Sequence, residues 1–262
     1  MKMPAWLRTL LLYAGSVCVW VLVWTLIARR VGEELLLPSP GSVVRRLGEL
    51  AVTADFWRIV GTSLLRILAG MAVGIAAGCL LALLTHFVPP LYALLYPLIT
   101  VIRSTPVASF IILIYLWIGR DTLPGFVAVL LVLPVVWANL HEALGAVDKG
   151  LLEMAQVFRL SPWKRLTRVY LPSVVPSLLA ACRSSVGLSW KAGIAAEVLV
   201  VPALSIGRRL SDAKLYLETV DLFAWTLTVV LLSLLPELVL LPAFARLDRK
   251  KRRGRAVGKE TS

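Results

Sequence analysis

Arg103 is a charged residue inside a long apolar stretch, residues 98–118. A charge within a membrane span is costly and usually faces a cavity or a partner. Ser104 and Thr105 follow it, and we expect these three side chains to line a translocation pathway. The alternative is structural: Arg103 would snorkel to the membrane surface, and the two hydroxyls would satisfy backbone groups freed by Pro106.

Lys191 and Glu197 are further charges in an apolar stretch, and Trp190 precedes them. The two charged residues are separated by about 120° around a helix, so they do not form a simple intrahelical pair. Lys191 facing a pathway would contribute to an anion-selective field. We therefore include Trp190, Lys191 and Glu197 among the expected pathway residues. The alternative is that Lys191 and Glu197 both snorkel to the outer surface.

No pattern typical of catalysis or metal binding is present in the sequence. There is no G-x-x-x-x-G-K-[ST] phosphate loop, and His141-Glu142 lacks the second histidine of H-E-x-x-H. The three cysteines fall in different apolar runs without metal-ligand spacing. We predict no catalytic residue, no metal and no cofactor. If this protein does work, the energy must then come from elsewhere.

Residues 148–172 form a polar interruption between two apolar runs, yet they are patterned like a folded element. Leu151, Ala155 and Phe158 have the i, i+4, i+7 spacing of one helix face. Ser161 then offers an N-cap, and Pro162 stands at the first position of a second helix, predicted over 163–170.

Pro172 is predicted to end that second helix, because the residue before a proline is disfavoured in the α region. A short basic helix–turn–helix at a membrane face predicts a surface for a partner protein.

The composition predicts an all-α, polytopic membrane protein. Of the 262 residues, 59% are hydrophobic and only 16% are charged. A span needs about 20 apolar residues to cross about 30 Å of hydrocarbon. We predict one membrane domain, 1–262, with six transmembrane helices at 10–28, 67–87, 98–118, 123–140, 174–201 and 222–244. The third is the least regular, since Arg103 and Pro106 interrupt it.

The distribution of basic residues predicts the orientation and argues against nucleic-acid binding. With six spans, both termini share a side with the 148–172 loop, and that side carries 15 basic residues against nine opposite. The positive-inside rule places the termini and the loop in the cytoplasm. The basic tail, 246–262, is expected to lie against anionic lipid. Residues 40–50 are expected to form an amphipathic interfacial helix.

At this point the residues resemble a known family. Glu153-Met154-Ala155, followed by Leu171-Pro172, is similar to the EAA signature of permease subunits of ABC importers. Further segments resemble the nitrate/sulfonate/taurine branch of that family: 37–40, 63–66, 103–106, Trp190 and Ala196-Glu197. The similarity covers roughly residues 35–250.

The sequence departs from the family pattern at three positions. Arg159 stands where glycine is usual, Met154 where alanine is usual, and Lys191 where an apolar residue is usual. We expect Arg159 still to occupy a helix, because glycine is the poorer helix former. A tight backbone approach at that turn is put in doubt, but the docking element as a whole is retained.

The resemblance implies a type I ABC importer permease fold with a cytoplasmic coupling-helix loop. Two permease subunits, expected to be a homodimer, would form the pathway. Two cytoplasmic ABC ATPase subunits would dock on the loops, and an extracytoplasmic solute-binding protein would deliver the solute. Expected coupling residues are Glu153, Met154, Ala155, Arg159, Ser161, Pro162, Trp163 and Lys164. Trp163 and Lys164 could instead be interfacial anchors.

Two other functions stay open at this point. One is an ion-coupled secondary transporter that uses Arg103, Lys191 and Glu197, and the other is a membrane scaffold without transport. For an importer, the branch implies a sulfonate-, nitrate- or taurine-like anion, or a vitamin precursor.

Overall fold

A computed structural model describes residues 5–234, which are helical with short connections and contain no strand in that range. The helices, in chain order, are α1 Ala5–Val31, α2 Pro40–Ala51, α3 Ala54–Phe87, α4 Pro89–Ser104, α5 Val107–Ile114, α6 Leu123–Gly145, α7 Lys149–Val157, α8 Pro162–Arg165, α9 Leu171–Val200, α10 Ile206–Leu215 and α11 Thr219–Leu234. A π-helical turn, Leu166–Tyr170, joins α8 to α9.

Glycines let α3 lie directly against α6 at the centre of the fold. Gly70, Gly74 and Gly78 recur every fourth residue on α3, and a Cβ at each would overlap atoms of α6. At Gly70 the obstacle is the backbone of Gly125. Small residues at this spacing allow close helix contact where no hydrophobic effect drives association. The α3–α6 pair, with α9 across it, is therefore the rigid core of the protomer.

Replacing Gly70 by alanine is expected to lower stability by about 1–3 kcal/mol, because the added methyl group overpacks a backbone contact. Gly61→Ala is the matched control: it lies on the same helix, and an added Cβ there meets no atom within 4 Å. The control should be neutral or stabilising by about 0.5–1 kcal/mol. Apparent Tm in detergent, measured by size-exclusion chromatography after heating, would separate the two. Equal shifts would contradict the packing role.

The predicted third span, 98–118, is wrong as a continuous helix. Helix α4 ends at Ser104, α5 begins at Val107, and the two are bent by 105°. Thr105 is extended, with φ −79° and ψ 132°, as the residue before a proline prefers. Pro106 therefore converts an expected span into a broken helix pair.

Four helices in the described range are long and apolar enough to span a membrane, or five if the bent pair counts as one. They are α1, α3, α6 and the continuous Pro162–Val200 helix. Helix α3 starts 13 residues before the predicted boundary at 67. The last predicted span, 222–244, is helical through Leu234, and its remainder and the tail 246–262 lie outside the described residues.

The predicted break at Pro172 is also wrong. The chain stays helical through it, with Leu171 N–H donating to the carbonyl of Leu166, five residues earlier. Proline cannot donate to the preceding turn and its ring crowds the carbonyl four residues back. A wider π-turn just before it removes this conflict. Helix α8 is thus helically continuous with the core helix α9.

Candidate functional site

The first loop helix, α7, is anchored to the core by one face. Asp148 caps it by accepting a hydrogen bond from Gly150 N–H at 2.7 Å. Ala155 is buried and Leu151 is partly buried against the cluster that contains Leu144. Phe158, predicted on the same face, is 71% exposed. That prediction is wrong because α7 ends at Val157 and Phe158 already belongs to the turn.

Arg159 adopts the left-handed conformation, with φ +49°, and does not continue the helix as expected. Leu160 N–H donates to the carbonyl of Ala155 at 3.0 Å, and Arg159 N–H to that of Gln156 at 2.9 Å. This bond pair is a Schellman ending, whose left-handed position is usually glycine. The family's usual glycine therefore has a conformational reason, and this chain meets it with arginine.

Arg159→Gly is expected to stabilise the protein by about 1 kcal/mol, because a non-glycine residue pays roughly 1–2 kcal/mol in the left-handed region. Apparent Tm of the purified chain checks this. Arg159→Ala is the control that removes the charge but keeps the Cβ, and it should not stabilise. If alanine stabilises as much as glycine, charge repulsion and not backbone strain governs the site.

Four large apolar side chains of the loop are exposed instead of packing against the core. Met154 is 50%, Val157 80%, Phe158 71% and Trp163 72% exposed, and we call these four residues the docking patch. Glu153 on α7 is exposed beside them. Exposed apolar residues grouped on one segment mark a protein or membrane contact.

The second loop helix follows its sequence signals at its start. Ser161 accepts a hydrogen bond from Lys164 N–H at 3.4 Å, and Pro162 opens the helix. Ser161, Pro162, Trp163 and Lys164 are all exposed. The expected coupling residues thus lie on the surface of one segment, except Ala155, which anchors it.

Aromatic contacts tie this segment to the core helices. Tyr170 lies edge-on to His86 and Phe87 at the end of α3, with ring centroids 5.6 and 5.5 Å apart. His141 of α6 stacks on Tyr92 of α4 at 4.4 Å. Edge-to-face and stacked rings are stabilising, specific contacts. A displacement of the loop would therefore act directly on the end of α3 through Tyr170.

Of the first group of expected pathway residues, only Arg103 presents an unengaged side chain. It is exposed, and no side-chain hydrogen bond or ion pair reaches it within the described range. The Ser104 and Thr105 hydroxyls donate to the Val101 carbonyl at 3.2 and 2.7 Å. The Val101 carbonyl lies in the preceding helical turn and also accepts from Thr105 N–H at 3.0 Å. Both hydroxyls therefore bond backbone within α4, whereas the carbonyl that Pro106 leaves without its N–H donor is that of Ile102.

Glu197 neither snorkels nor faces a surface, since its exposed fraction is 0%. It accepts hydrogen bonds from Arg66 at 2.7 Å and from Ser63 Oγ at 2.8 Å. Gly207 N–H, at the start of α10, donates to the same carboxylate at 3.2 Å. The negative charge therefore pairs with a cation and caps a helix N-terminus.

The network around Glu197 joins two segments that carried the resemblance, 63–66 and 196–197. Sequence reasoning named both segments but missed the pairing, because Arg66 and Glu197 are 131 positions apart. Trp190 is 2% exposed and donates to the Val229 carbonyl at 3.2 Å. Buried Trp190 and Glu197 cannot contact a solute in this conformation, whereas Lys191 is exposed.

Comparisons with known proteins agree with this architecture. A bacterial ABC transporter involved in the import of the acidic polysaccharide alginate has the same fold, with a TM-score of 0.63, 18% identity, and coverage of 91% of this chain and 96% of that chain. The putative aliphatic sulfonates transport permease protein SsuC of Escherichia coli (strain K12) is 30% identical over 208 residues, covering 78% of this chain and 77% of the relative.

The formylaminopyrimidine transport permease protein ThiX of Halalkalibacterium halodurans is 28% identical over 170 residues, 64% of this chain and 68% of the relative. The sequence pattern of the family described as "Binding-protein-dependent transport system inner membrane component" matches residues 70–253. The predicted resemblance to permease subunits of ABC importers is thereby confirmed, and the chain belongs to this family.

Proposed function

We propose that this chain forms half of the translocation pathway of an importer that is driven by a separate ATPase. A second copy would supply the other half, since a homodimer is the simplest closed arrangement. Two cytoplasmic ABC ATPase subunits would bind the two loops, and an extracytoplasmic protein would deliver the solute.

The observation that carries the proposal is the docking patch. Its apolar side chains are exposed on a loop whose first helix is capped and anchored through Ala155 and whose second helix is continuous with α9. A rigid element transmits a push, whereas a flexible loop would absorb it. A mainly polar rim would surround this apolar contact, formed by Glu153, Arg159, Ser161 and Lys164 together with Pro162.

The orientation follows from this assignment. The ATPase acts on cytoplasmic ATP, so the 148–172 loop would lie in the cytoplasm of a bacterial cell with both termini on the same side. This needs six spans, with α4–α5 as the broken third and α11 as the start of the sixth. The basic tail and α2 would then lie along opposite membrane surfaces.

The pathway would be lined by Arg103 and Lys191, which are exposed and charged. Ser104 and Thr105 would lie beside Arg103 at the α4–α5 break. Trp190 and Glu197, which are buried, would position the pathway helix through their hydrogen bonds to neighbouring helices. The solute is proposed to be a small anion of the sulfonate kind, as the name of the Escherichia coli relative suggests. The vitamin-precursor alternative follows from the name of the Halalkalibacterium halodurans relative.

Reconstitution distinguishes the proposal from an ion-coupled secondary transporter. The chain, its co-encoded ATPase and its binding protein are placed in liposomes, and ATP hydrolysis and uptake of a radiolabelled alkanesulfonate are measured. We expect uptake to require ATP and the ATPase. Uptake by the chain alone, driven by a proton or sodium gradient, would overturn the proposal.

A further inference from the structure

Helix α9 exposes a face that is unlike the exposed face of α1. Large apolar side chains dominate α1: Leu11, Leu12, Val17, Trp20, Leu22 and Leu26. Between residues 180 and 195, the exposed positions of α9 are small or charged, apart from Leu188: Ala180, Arg183, Ser184, Lys191 and Ala195. Lipid is a suitable neighbour for the first face. The second face would place two cations against hydrocarbon if lipid covered it.

Arg183 and Lys191 have no compensating partner among residues 5–234. Between residues 5 and 234, no side-chain hydrogen bond or ion pair reaches either of them. The nearby carboxylate, Glu197, is committed to Arg66, Ser63 and α10. Within the membrane, both cations therefore require compensation from outside the described part of the chain.

Their depth argues against snorkelling. In the apolar part of α9, residues 174–200, Arg183 is nine residues from Val174 and Lys191 is nine residues from Val200. Each therefore lies about 14 Å along the helix from one end of this part. The two α-carbons are separated by about 12 Å along the helix. An anion could therefore pass from one cation to the next in a single step along the axis.

The opposite side of α9 is fully engaged. It packs against α3 through Ile67 and against α5 through Ala192 and Ala196. The cationic face is thus held in a fixed direction by the rigid core and cannot rotate away from what covers it.

We propose that this face of α9 is the wall of a water-filled passage, in which Lys191 and Arg183 form two successive binding positions for an anionic group such as a sulfonate. The inference rests on the proposed function, because the second wall would come from the partner subunit. Arg183 is a new pathway residue, and it makes the field of Lys191 continuous towards the cytoplasm. Two weak positions in series suit conduction, since each must release what it binds.

Thiol chemistry on the full-length chain in liposomes tests this without ATPase or binding protein. Cys18, Cys79 and Cys182 are first replaced by alanine. A single cysteine is then placed at Ser184 or Leu188, between the cations, or at Val17 on α1 as the lipid-facing control. Each is reacted with a sulfonate-bearing and with a trimethylammonium-bearing methanethiosulfonate, with rates normalised to free cysteine.

We expect cysteines at 184 and 188 to react, with the sulfonate reagent favoured, and the cysteine at 17 to react with neither. The double variant Arg183→Gln, Lys191→Gln should lower the anion preference roughly tenfold, as expected for loss of a focused field. The double variant Arg183→Lys, Lys191→Arg should keep it, and so should Arg29→Gln on α1. The conservative pair keeps the test valid if the glutamine pair folds poorly.

Unreactive thiols at 184 and 188, or an anion preference that the glutamine pair leaves unchanged, would overturn the inference. The proposed function fails separately: uptake that needs no ATPase would sink it whatever the thiol chemistry shows.

Discussion

Glu197→Ala is expected to destabilise the protomer by about 3–5 kcal/mol, the cost of leaving a buried charge uncompensated. The substitution removes the closest charged partner of Arg66, whose side chain is only 14% exposed and whose other carboxylate contact, with Asp121, is at 4.0 Å. It also removes the acceptor for Ser63 Oγ and Gly207 N–H. Helix α10 would lose its N-terminal anchor as well. A large fall in apparent Tm in detergent, with loss of the monodisperse peak at growth temperature, is the expected readout.

Two controls separate burial from charge. Glu197→Gln keeps an acceptor oxygen and should cost less than alanine. Asp55→Ala breaks the Arg209–Asp55 pair, which has a similar 2.6 Å separation but side chains 46% and 55% exposed. An exposed pair contributes only about 0–1 kcal/mol. If Asp55→Ala costs as much as Glu197→Ala, desolvation is not the reason for the stability of the Glu197 network.

The second large effect is expected at the docking patch. Val157→Asp and Phe158→Asp should each weaken co-purification of the ATPase subunit roughly 30-fold, the loss of about 2 kcal/mol typical of a binding hot spot. Both side chains are more than 70% exposed, so the fold of the permease should be unaffected. Quantitative affinity capture of the detergent-solubilised complex measures the loss.

Lys149→Ala is the matched control, an exposed residue at the start of the same loop helix and away from the patch. It should bind the ATPase normally. Retained binding in both aspartate variants, with unchanged coupling of ATP hydrolysis to uptake, would remove the patch from the interface.

Local signals in the sequence predicted part of the 148–172 loop and failed where backbone geometry depends on neighbours. The predicted cap at Ser161 is confirmed, because it follows from side-chain chemistry that acts within three residues. Phe158 was placed on the wrong side because a helical repeat does not reveal that the helix ends at Val157. Arg159 was placed in a helix because propensity ranks arginine above glycine, whereas the Schellman ending demands a left-handed residue.

The sequence analysis overestimated the effect of Pro172 on helix continuity and underestimated the effect of Pro106. Pro172 was expected to break a helix, yet a π-turn lets the chain continue through it. Pro106 was expected only to disturb a span, yet it accompanies a 105° bend. The outcome depends on whether the turn before the proline widens into a π-turn, as Leu166–Tyr170 does before Pro172, and the local sequence does not reveal this.

The charged residues show the same limit. Arg103, Lys191 and Glu197 were recognised from composition alone, since charges in apolar runs are conspicuous. Their different environments were not predictable, because the partner of Glu197 lies on α3 and the exposed direction of Lys191 is set by the packing of α9. Arg183 was overlooked because no recognised segment contains it.

The central claim is that an ATPase acts on this chain through the exposed face of the 148–172 loop. A photo-crosslinking amino acid at Val157, in membrane vesicles that contain the complete importer, tests it most directly, with Trp20 on α1 as the lipid-facing control. We predict a covalent adduct between position 157 and the ATPase subunit, and none from position 20. An adduct with the extracytoplasmic binding protein, or with lipid alone, would contradict the account.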